Sequence, residues 1–310
     1  MAARYLFRRA VGAVVVLWLA ATLAFLALKL TPGDPAQALL AASGATPDEI
    51  AARRAQLGLD ASLPIQYGRY LADLVRIDLG ESWLHGRPVG QMIAEQLPST
   101  LALAMAATAV AAILGLLLGL PAALRQGTWV DTLTTSVSVV GLSTPTYWSG
   151  LLAILVFSLY LPWLPSAGQG SLGHLVLPAG VLGFAMSGAI ARVVRAQVAE
   201  VLRANYVVAA HAKGLSPLRV LFVHVLRNAM GPALAVTALQ FGFMLSGAVV
   251  TESVFARRGL GKLVVQAIIW RDLPVVRGVM LVAALAFVLT SLAADLARGW
   301  LDPRLREELQ

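Results

Sequence analysis

Cysteine is absent from this chain of 310 residues, which excludes disulfides, thiolate metal sites and cysteine nucleophiles. Charge is scarce as well. Only 13% of residues are Asp, Glu, Lys or Arg, against about 25% in a typical soluble domain. Apolar side chains make up 58% of the chain, and the mean hydropathy is +0.77. A water-soluble globule of this size cannot hide so much apolar surface, and a disordered chain would not carry it. The setting that remains is a lipid bilayer. Several catalytic patterns are missing too. The nearest approach to a G-x-x-x-x-G-K-[ST] phosphate loop is Gly261-Lys262, but Leu263 follows it and Ala256 stands at the first glycine position. The four histidines, His85, His174, His211 and His224, form no H-E-x-x-H pair. Ser149, Ser187 and Ser246 precede glycines, but Tyr147, Ala185 and Met244 stand where an intramembrane serine protease would want another glycine. The chain therefore reads as a non-enzyme with no metal site and no cofactor of its own.

What is present is a series of charge-free runs. Ala10–Leu28 has 19 residues, about 28 Å of helix and one hydrocarbon thickness. Gln96–Leu124 has 29, Thr132–Ala191 has 60, Asn228–Thr251 has 24 and Gly278–Ala294 has 17. The longest is divided by the breaker cluster Leu161-Pro-Trp-Leu-Pro-Ser-Ala-Gly-Gln-Gly170. The result is an all-α polytopic membrane protein with six transmembrane helices, near 9–30, 99–124, 134–160, 174–195, 232–255 and 275–299. Ser143-Thr-Pro145 predicts a kink in the third. The first run is longer than the 7–15 residues usual for a signal peptide and reads as a retained anchor. Gly115-Leu-Leu-Leu-Gly119 predicts close helix packing. Asp295 and Arg298, one turn apart, predict a local ion pair.

The net charge of +8 has a sidedness. With the N-terminus inside, Arg4, Arg8, Arg9, Arg125, Arg192, Arg195, Arg203, Lys213, Arg219, Arg227, Arg298, Arg304 and Arg306 fall on the cytoplasmic side. Residues 31–98 carry five Arg against eight Asp and Glu and fall outside. The 252–274 loop, with Arg257, Arg258, Lys262 and Arg271 against Glu252 and Asp272, runs against this trend. Both termini are expected in the cytoplasm, and the positive charge answers to a membrane rather than to nucleic acid. Three parts follow: a stub and first span over 1–30, an extracytoplasmic helical segment over 31–98, and a five-helix core over 99–310. In the segment, Thr46-Pro-Asp-Glu49 predicts a capped helix to about Leu57, and Leu63–Leu79 a second, amphipathic one.

The core carries a cytoplasmic loop at about 196–231. One helix is predicted through Ala212, ended by Gly214. Ser216 then caps a second helix with Pro217 at N1. Leu218, Leu221, Phe222, Val225 and Ala229 are predicted on one face, Arg219, Val223, His224 and Arg227 on another. Gly231-Pro232 should break this helix before span five. Such a hairpin, with small Ala209, Ala210 and Ala212 near its tip, suits docking of another protein; a basic loop against anionic lipid is the alternative. In span five, Thr237, Gln240, Met244, Gly247 and Thr251 share a face. They form either a translocation-pathway stripe or a helix-packing seam.

Ala210-His-Ala-Lys-Gly-Leu-Ser216 with His224-Val-Leu-Arg-Asn-Ala229 resembles the "EAA" loop of ABC importer permeases, in the dipeptide/oligopeptide/nickel variant. Arg4-Tyr-Leu-Phe-Arg-Arg9, Leu30-Thr-Pro-Gly-Asp-Pro35, Leu57-Gly-Leu-Asp60, Pro64-Ile-Gln-Tyr67 and Asp78-Leu-Gly-Glu-Ser82 resemble the family's first third. Phe255-Ala-Arg-Arg-Gly-Leu-Gly261, Arg271-Asp-Leu-Pro-Val-Val276 and Leu301-Asp-Pro-Arg304 resemble its last. Two departures stand out: Val208 or Ala209 occupies the usual glutamate position of the loop, and Ala256-Arg-Arg258 stands where relatives often carry Trp-Pro. The resemblance implies a type I permease architecture in the bacterial inner membrane. It also implies a homologous second permease subunit, two ATP-binding subunits that hold the ATP and Mg, and an extracytoplasmic substrate-binding protein. Tyr206, Ala209, Ala210, His211, Lys213, Gly214, Leu215, Ser216, His224 and Arg227 would form the ATPase-coupling loop. Peptides are the expected cargo, with glutathione or nickel chelates as alternatives. The competing functional class is a secondary transporter or channel acting alone, which would need inverted repeats or a midmembrane ion site.

Overall fold

A computed structural model describes residues 2–30, 33–40 and 44–301; for 2–6, 27–30, 246–247 and 295–301 the description is of the backbone alone. Thr31, Pro32, Arg304 and Arg306 lie outside the described residues, as do the side chains of Arg4, Asp295 and Arg298. The helices in chain order are α1 (Ala2–Leu30), α2 (Pro35–Leu40), α3 (Pro47–Gln56), α4 (Leu63–Val75), α5 (Val89–Leu124), α6 (Trp129–Ser143), α7 (Thr146–Ile154), α8 (Gly173–Leu202), α9 (Asn205–Ala212), α10 (Pro217–Arg219), α11 (Arg227–Val254), α12 (Leu260–Ile269) and α13 (Leu273–Leu301). Wider π-helical turns continue α7 over Leu155–Tyr160 and join α10 to α11 over Val220–Leu226. Among the described residues the only extended pairing is one bridge between Glu81 and Pro88.

Five of these helical stretches are long and apolar enough to cross a membrane. The sixth expected span is different. α6 and the α7 stretch meet at a bend of 101°, far more than the kink that Ser143-Thr-Pro145 suggested. Proline disfavours the helical region for its predecessor, and Thr144 is accordingly extended at φ −84 and ψ 124. The Thr144 hydroxyl donates back to the Val140 carbonyl at 2.6 Å, closing the end of α6. Pro232 behaves in the opposite way. The predicted break at Gly231-Pro232 is absent, and α11 runs straight through it. α5 also starts earlier than expected, at Val89, because Val89, Met92 and Ile93 are buried.

The chain forms two compact units. The first contains Leu101–Arg257 with segments from both chain ends. Here α8 is the central helix, and α6 and α11 pack along it. Leu103, Leu182, Ile190, Val194, Val198, Val207, Val225 and Met244 fill its core. Small residues set the spacing. A Cβ on Gly115 would lie 2.6 Å from Ile190, and one on Gly119 would lie 2.5 Å from the Ala191 carbonyl oxygen. The G-x-x-x-G pair is thus where α5 touches the backbone of α8.

The second unit contains Ala10–Thr100 and Arg258–Leu285. Thr46 caps α3 as expected: Glu49 N–H donates to the Thr46 hydroxyl, and the Thr46 N–H donates to the Glu49 carboxylate at 2.7 Å. α4 stops at Val75, short of the predicted Leu79, and Ile77 turns the chain at φ 61. Val89, Met92, Ile93, Leu260, Ala267, Val275, Val276 and Val279 form this unit's core.

Candidate functional site

The hairpin after α8 is built as its residue types dictate. Arg203 closes α8, Ala204 is extended, and α9 begins at Asn205. At the far end Gly214 takes φ 78, a left-handed conformation that costs an L side chain about 1–2 kcal/mol. Its N–H donates to the His211 carbonyl at 2.9 Å, and the Leu215 N–H donates to the Ala210 carbonyl at 3.3 Å. These two bonds are the Schellman pair that satisfies the orphan carbonyls of α9. Ser216 then sits extended at the N-cap with Pro217 behind it, although the serine hydroxyl makes no capping bond. His211 turns its Nδ1 to the Val207 carbonyl at 3.0 Å. Asn228, absent from the predicted loop residues, donates to the Tyr206 hydroxyl at 3.2 Å and ties the base of the hairpin.

The two faces of the second arm differ from the prediction. Val220, Val225 and Ala229 are buried, while Leu218 and Phe222 are exposed. A period of 3.6 placed Leu218 and Phe222 with Val225. The π-helical turn instead spaces the buried positions Val220 and Val225 five apart. The hairpin thus anchors itself through Val207, Ala210, Val220 and Val225 and presents Tyr206, Val208, Leu218 and Phe222 outward. Ala209, Ala212, Lys213, Ser216 and Arg227 are exposed beside them, and His224 is half-buried.

A clamp stands at the end of α8 from which the hairpin springs. The Arg195 guanidinium donates to both Asp131 oxygens, each at 2.7 Å. The Gly127 N–H donates to the same carboxylate at 3.0 Å, and Arg203 donates to Gln126 at 3.0 Å. A bidentate guanidinium–carboxylate pair fixes orientation as well as distance. Asp131 and Arg195 marked run boundaries in the sequence, but nothing local paired residues 64 apart.

The α11 stripe lies largely inside helix packing. Met244 and Thr251 are buried, and the Met244 sulfur accepts from the Thr108 hydroxyl at 3.1 Å. Gln240 reaches the Met186 carbonyl on α8 at 3.4 Å. Thr237 is half-buried and donates to its own helix at Ala233. The surroundings of Gly247 are outside the description. Among the described residues no cluster of three or more His, Asp or Glu side chains is placed to hold a metal ion.

Residues 112–307 match the family of binding-protein-dependent transport system inner membrane components, and residues 2–104 match that family's N-terminal region. The chain belongs to this family. It is a multi-pass permease of an ABC importer. A relative in Brucella abortus (strain 2308), named as a peptide transport system permease protein, is 40% identical over 309 residues, covering 97% of this chain and 98% of the relative. A glutathione transport system permease protein of Salmonella typhimurium (strain LT2) is 38% identical over 302 residues, covering 97% and 98%. The fold is similar to that of an inward-facing methionine ABC transporter, with a TM-score of 0.56 at 16% identity, covering 68% of this chain and 97% of that one.

Two segments of the permease that carried the resemblance meet in its second unit. The Ser82 hydroxyl donates to the buried Asp272 carboxylate, and the Trp83 N–H donates to it at 3.0 Å. Residues 190 apart in sequence are thereby joined. In the first unit Arg257 is buried, and it donates to the His174 carbonyl at 3.1 Å. Burial pushes its guanidinium down, and the nearby Glu252 carboxylate opposes this. Arg257 is one of the charges expected in an outer loop, and the structure places it inside the protein.

Proposed function

We propose that this permease and a homologous second subunit form a path for short peptides, which a binding protein delivers from outside. Two ATP-binding subunits drive it by docking on the hairpin between Asn205 and Arg227. The observation that carries the docking role is the hairpin's construction: a fully bonded Schellman turn holds an outward apolar patch on a buried base. An apolar patch on an ordered turn suits a protein surface better than lipid phosphates would. The missing loop glutamate makes that contact apolar and basic, through Val208 and Lys213. With this side cytoplasmic, both termini face the cytoplasm. The burial of Arg257 removes one charge from the count that opposed that orientation.

Among the described members of the α11 stripe, Thr237 and Gln240 have exposure left for a water-filled path, and Met244 and Thr251 support them from within the packing. The peptide reading rests on the names of relatives alike over nearly the whole chain. Glutathione, itself a peptide, is the second reading, supported by the Salmonella relative. The deciding experiment is uptake by the complete reconstituted importer with its binding protein. Radiolabelled glycyl-leucine should accumulate only with ATP and should be displaced by unlabelled short peptides. Accumulation of glutathione or a nickel chelate without peptide competition would replace the peptide reading. Uptake without ATP or ATP-binding subunits would favour a transporter or channel acting alone.

A further inference from the structure

The second unit holds a cavity of about 250 Å³ whose wall includes Tyr70 and Arg277. Arg277 stands in the second turn of the apolar helix α13, and its charge lies just outside the run that begins at Gly278. Its guanidinium carbon sits 4.9 Å from the Phe25 ring centre and 5.0 Å from that of Tyr70. The Arg277 Nε is buried with no hydrogen-bond partner, and so is the Tyr70 hydroxyl. Among the described residues no carboxylate forms an ion pair with Arg277. Cation–π contacts offset about 0.5–2 kcal/mol, whereas an unpaired buried charge costs several kcal/mol. Arg277 has no anionic partner among the described residues. Burial also pushes the Tyr70 phenol up to about 12, further above the neutral range in which it is already a donor.

The opposite charge surrounds the cavity. Asp73, Asp78 and Glu81 line it and are exposed, with Arg69 beside them. The Asp78 carboxylate accepts from the Gly80 N–H at 2.8 Å, and among the described residues no ion pair is formed by Asp73 or Glu81. A half-buried cation with exposed carboxylates on the same wall is complementary to a small molecule that leads with its own carboxylate and trails an ammonium group. Trp83 adds an aromatic wall for the body between them. The volume suits one or two residues, since drug-sized ligands occupy about 300–1,000 Å³.

We infer that this cavity binds the zwitterion of an amino acid or dipeptide, with Arg277 taking the carboxylate and Asp73 and Glu81 the ammonium group. The site is built from residues of the second unit and shares none with the α11 stripe. It rests on the peptide reading for its ligand class alone.

The test is binding of glycyl-leucine and of glycyl-leucinamide to the complete transporter without its binding protein, in nanodiscs of phosphatidylglycerol, by calorimetry. The free acid should bind at least about tenfold more tightly than the amide, as a charge-assisted pair requires. Arg277→Gln should abolish that preference and Arg277→Lys should keep part of it. Asp73→Asn combined with Glu81→Gln should weaken glycyl-leucine while leaving N-acetyl-glycyl-leucine unchanged. The rim pair is exposed, so this arm decides the matter even if Arg277→Gln fails to assemble. Equal affinity for acid and amide, a preference that survives Arg277→Gln, or no binding of the dipeptide would each overturn the inference. So would Arg277-dependent retention of phosphatidylethanolamine in native mass spectrometry without dipeptide binding, which would assign the cavity to a lipid headgroup. Uptake of glycyl-leucine by the full importer is measured in parallel. Uptake without cavity binding sinks this inference alone, and cavity binding without uptake sinks the peptide reading alone.

Discussion

Arg195 and Arg277 are both guanidinium groups on long apolar helices, and the protein treats them oppositely. Arg195 is met by Asp131 through two bonds of 2.7 Å. Among the described residues Arg277 is met by the faces of Phe25 and Tyr70 and by no carboxylate. Around Arg195 polar groups are paired and backbones touch, from Gly119 against Ala191 to the closed turn at Gly214. The region around Arg277 is more open: an unpaired cation, exposed carboxylates, and a β-branched residue, Ile77, left-handed and 88% exposed. Satisfied polar pairs fix one geometry, which suits the base of a docking element. Groups left unsatisfied mark a place that completes itself with something else.

The comparison can be broken most forcefully in the packed region. Gly119→Leu forces a side chain into the α8 backbone and should destabilise by about 3 kcal/mol or more. The purified protein should then lose its cooperative thermal transition; a melting point near that of the parent would show that α5 and α8 do not meet there. Asp131→Ala comes next. It should lower the melting point of the assembled complex and its ATP-driven uptake together, and Asp131→Asn, which keeps an acceptor for Gly127, should do less. Equal melting points for all three proteins would remove the clamp.

Gly214→Val acts by conformation alone, because no atom lies near enough to clash with a new Cβ. It should cost about 1–2 kcal/mol locally and uncouple ATP hydrolysis from uptake while the spans remain folded. Full uptake by this variant would show that the turn is dispensable. Ile77→Gly has the reverse sign. Relief of the left-handed strain should raise stability by up to about 1 kcal/mol, measured by denaturant titration; a loss would mean that Ile77 is buried against a partner. The smallest effect is that of Gln240→Leu. As a bridge to Met186 it should cost about 0.6 kcal/mol, and as a member of the path it should also alter uptake. Lowered stability with unchanged uptake would leave Gln240 to packing.

Much of this was legible in local signals. Gly214 with Ser216-Pro217 marked the hairpin turn, Thr46-Pro-Asp-Glu49 marked a capped helix, and Gly115 with Gly119 marked a close approach. Each rests on the conformational or steric limits of a few neighbouring residues. What was not legible depended on distant partners or on departures from the ideal period. Pro145 and Pro232 look alike in sequence, yet one ends a helix at 101° and the other sits within one. The π-helical turn at Val220–Leu226 exchanges buried and exposed faces without any residue that announces it. The Asp131–Arg195 and Ser82–Asp272 pairs join residues 64 and 190 apart. Arg277 was hidden by its position at the edge of a charge-free run, where a charge reads as a flank.

The most direct measurement concerns what the hairpin faces. Val208 is 60% exposed on α9, and the chain has no cysteine of its own. Val208→Cys should react quickly with a membrane-impermeant thiol reagent in the isolated permease pair, and at least about tenfold more slowly once the ATP-binding subunits are bound. Asp73→Cys, on α4, should react at the same rate in both. Equal reactivity of Val208→Cys with and without the ATP-binding subunits would contradict the assignment of this hairpin as their docking element.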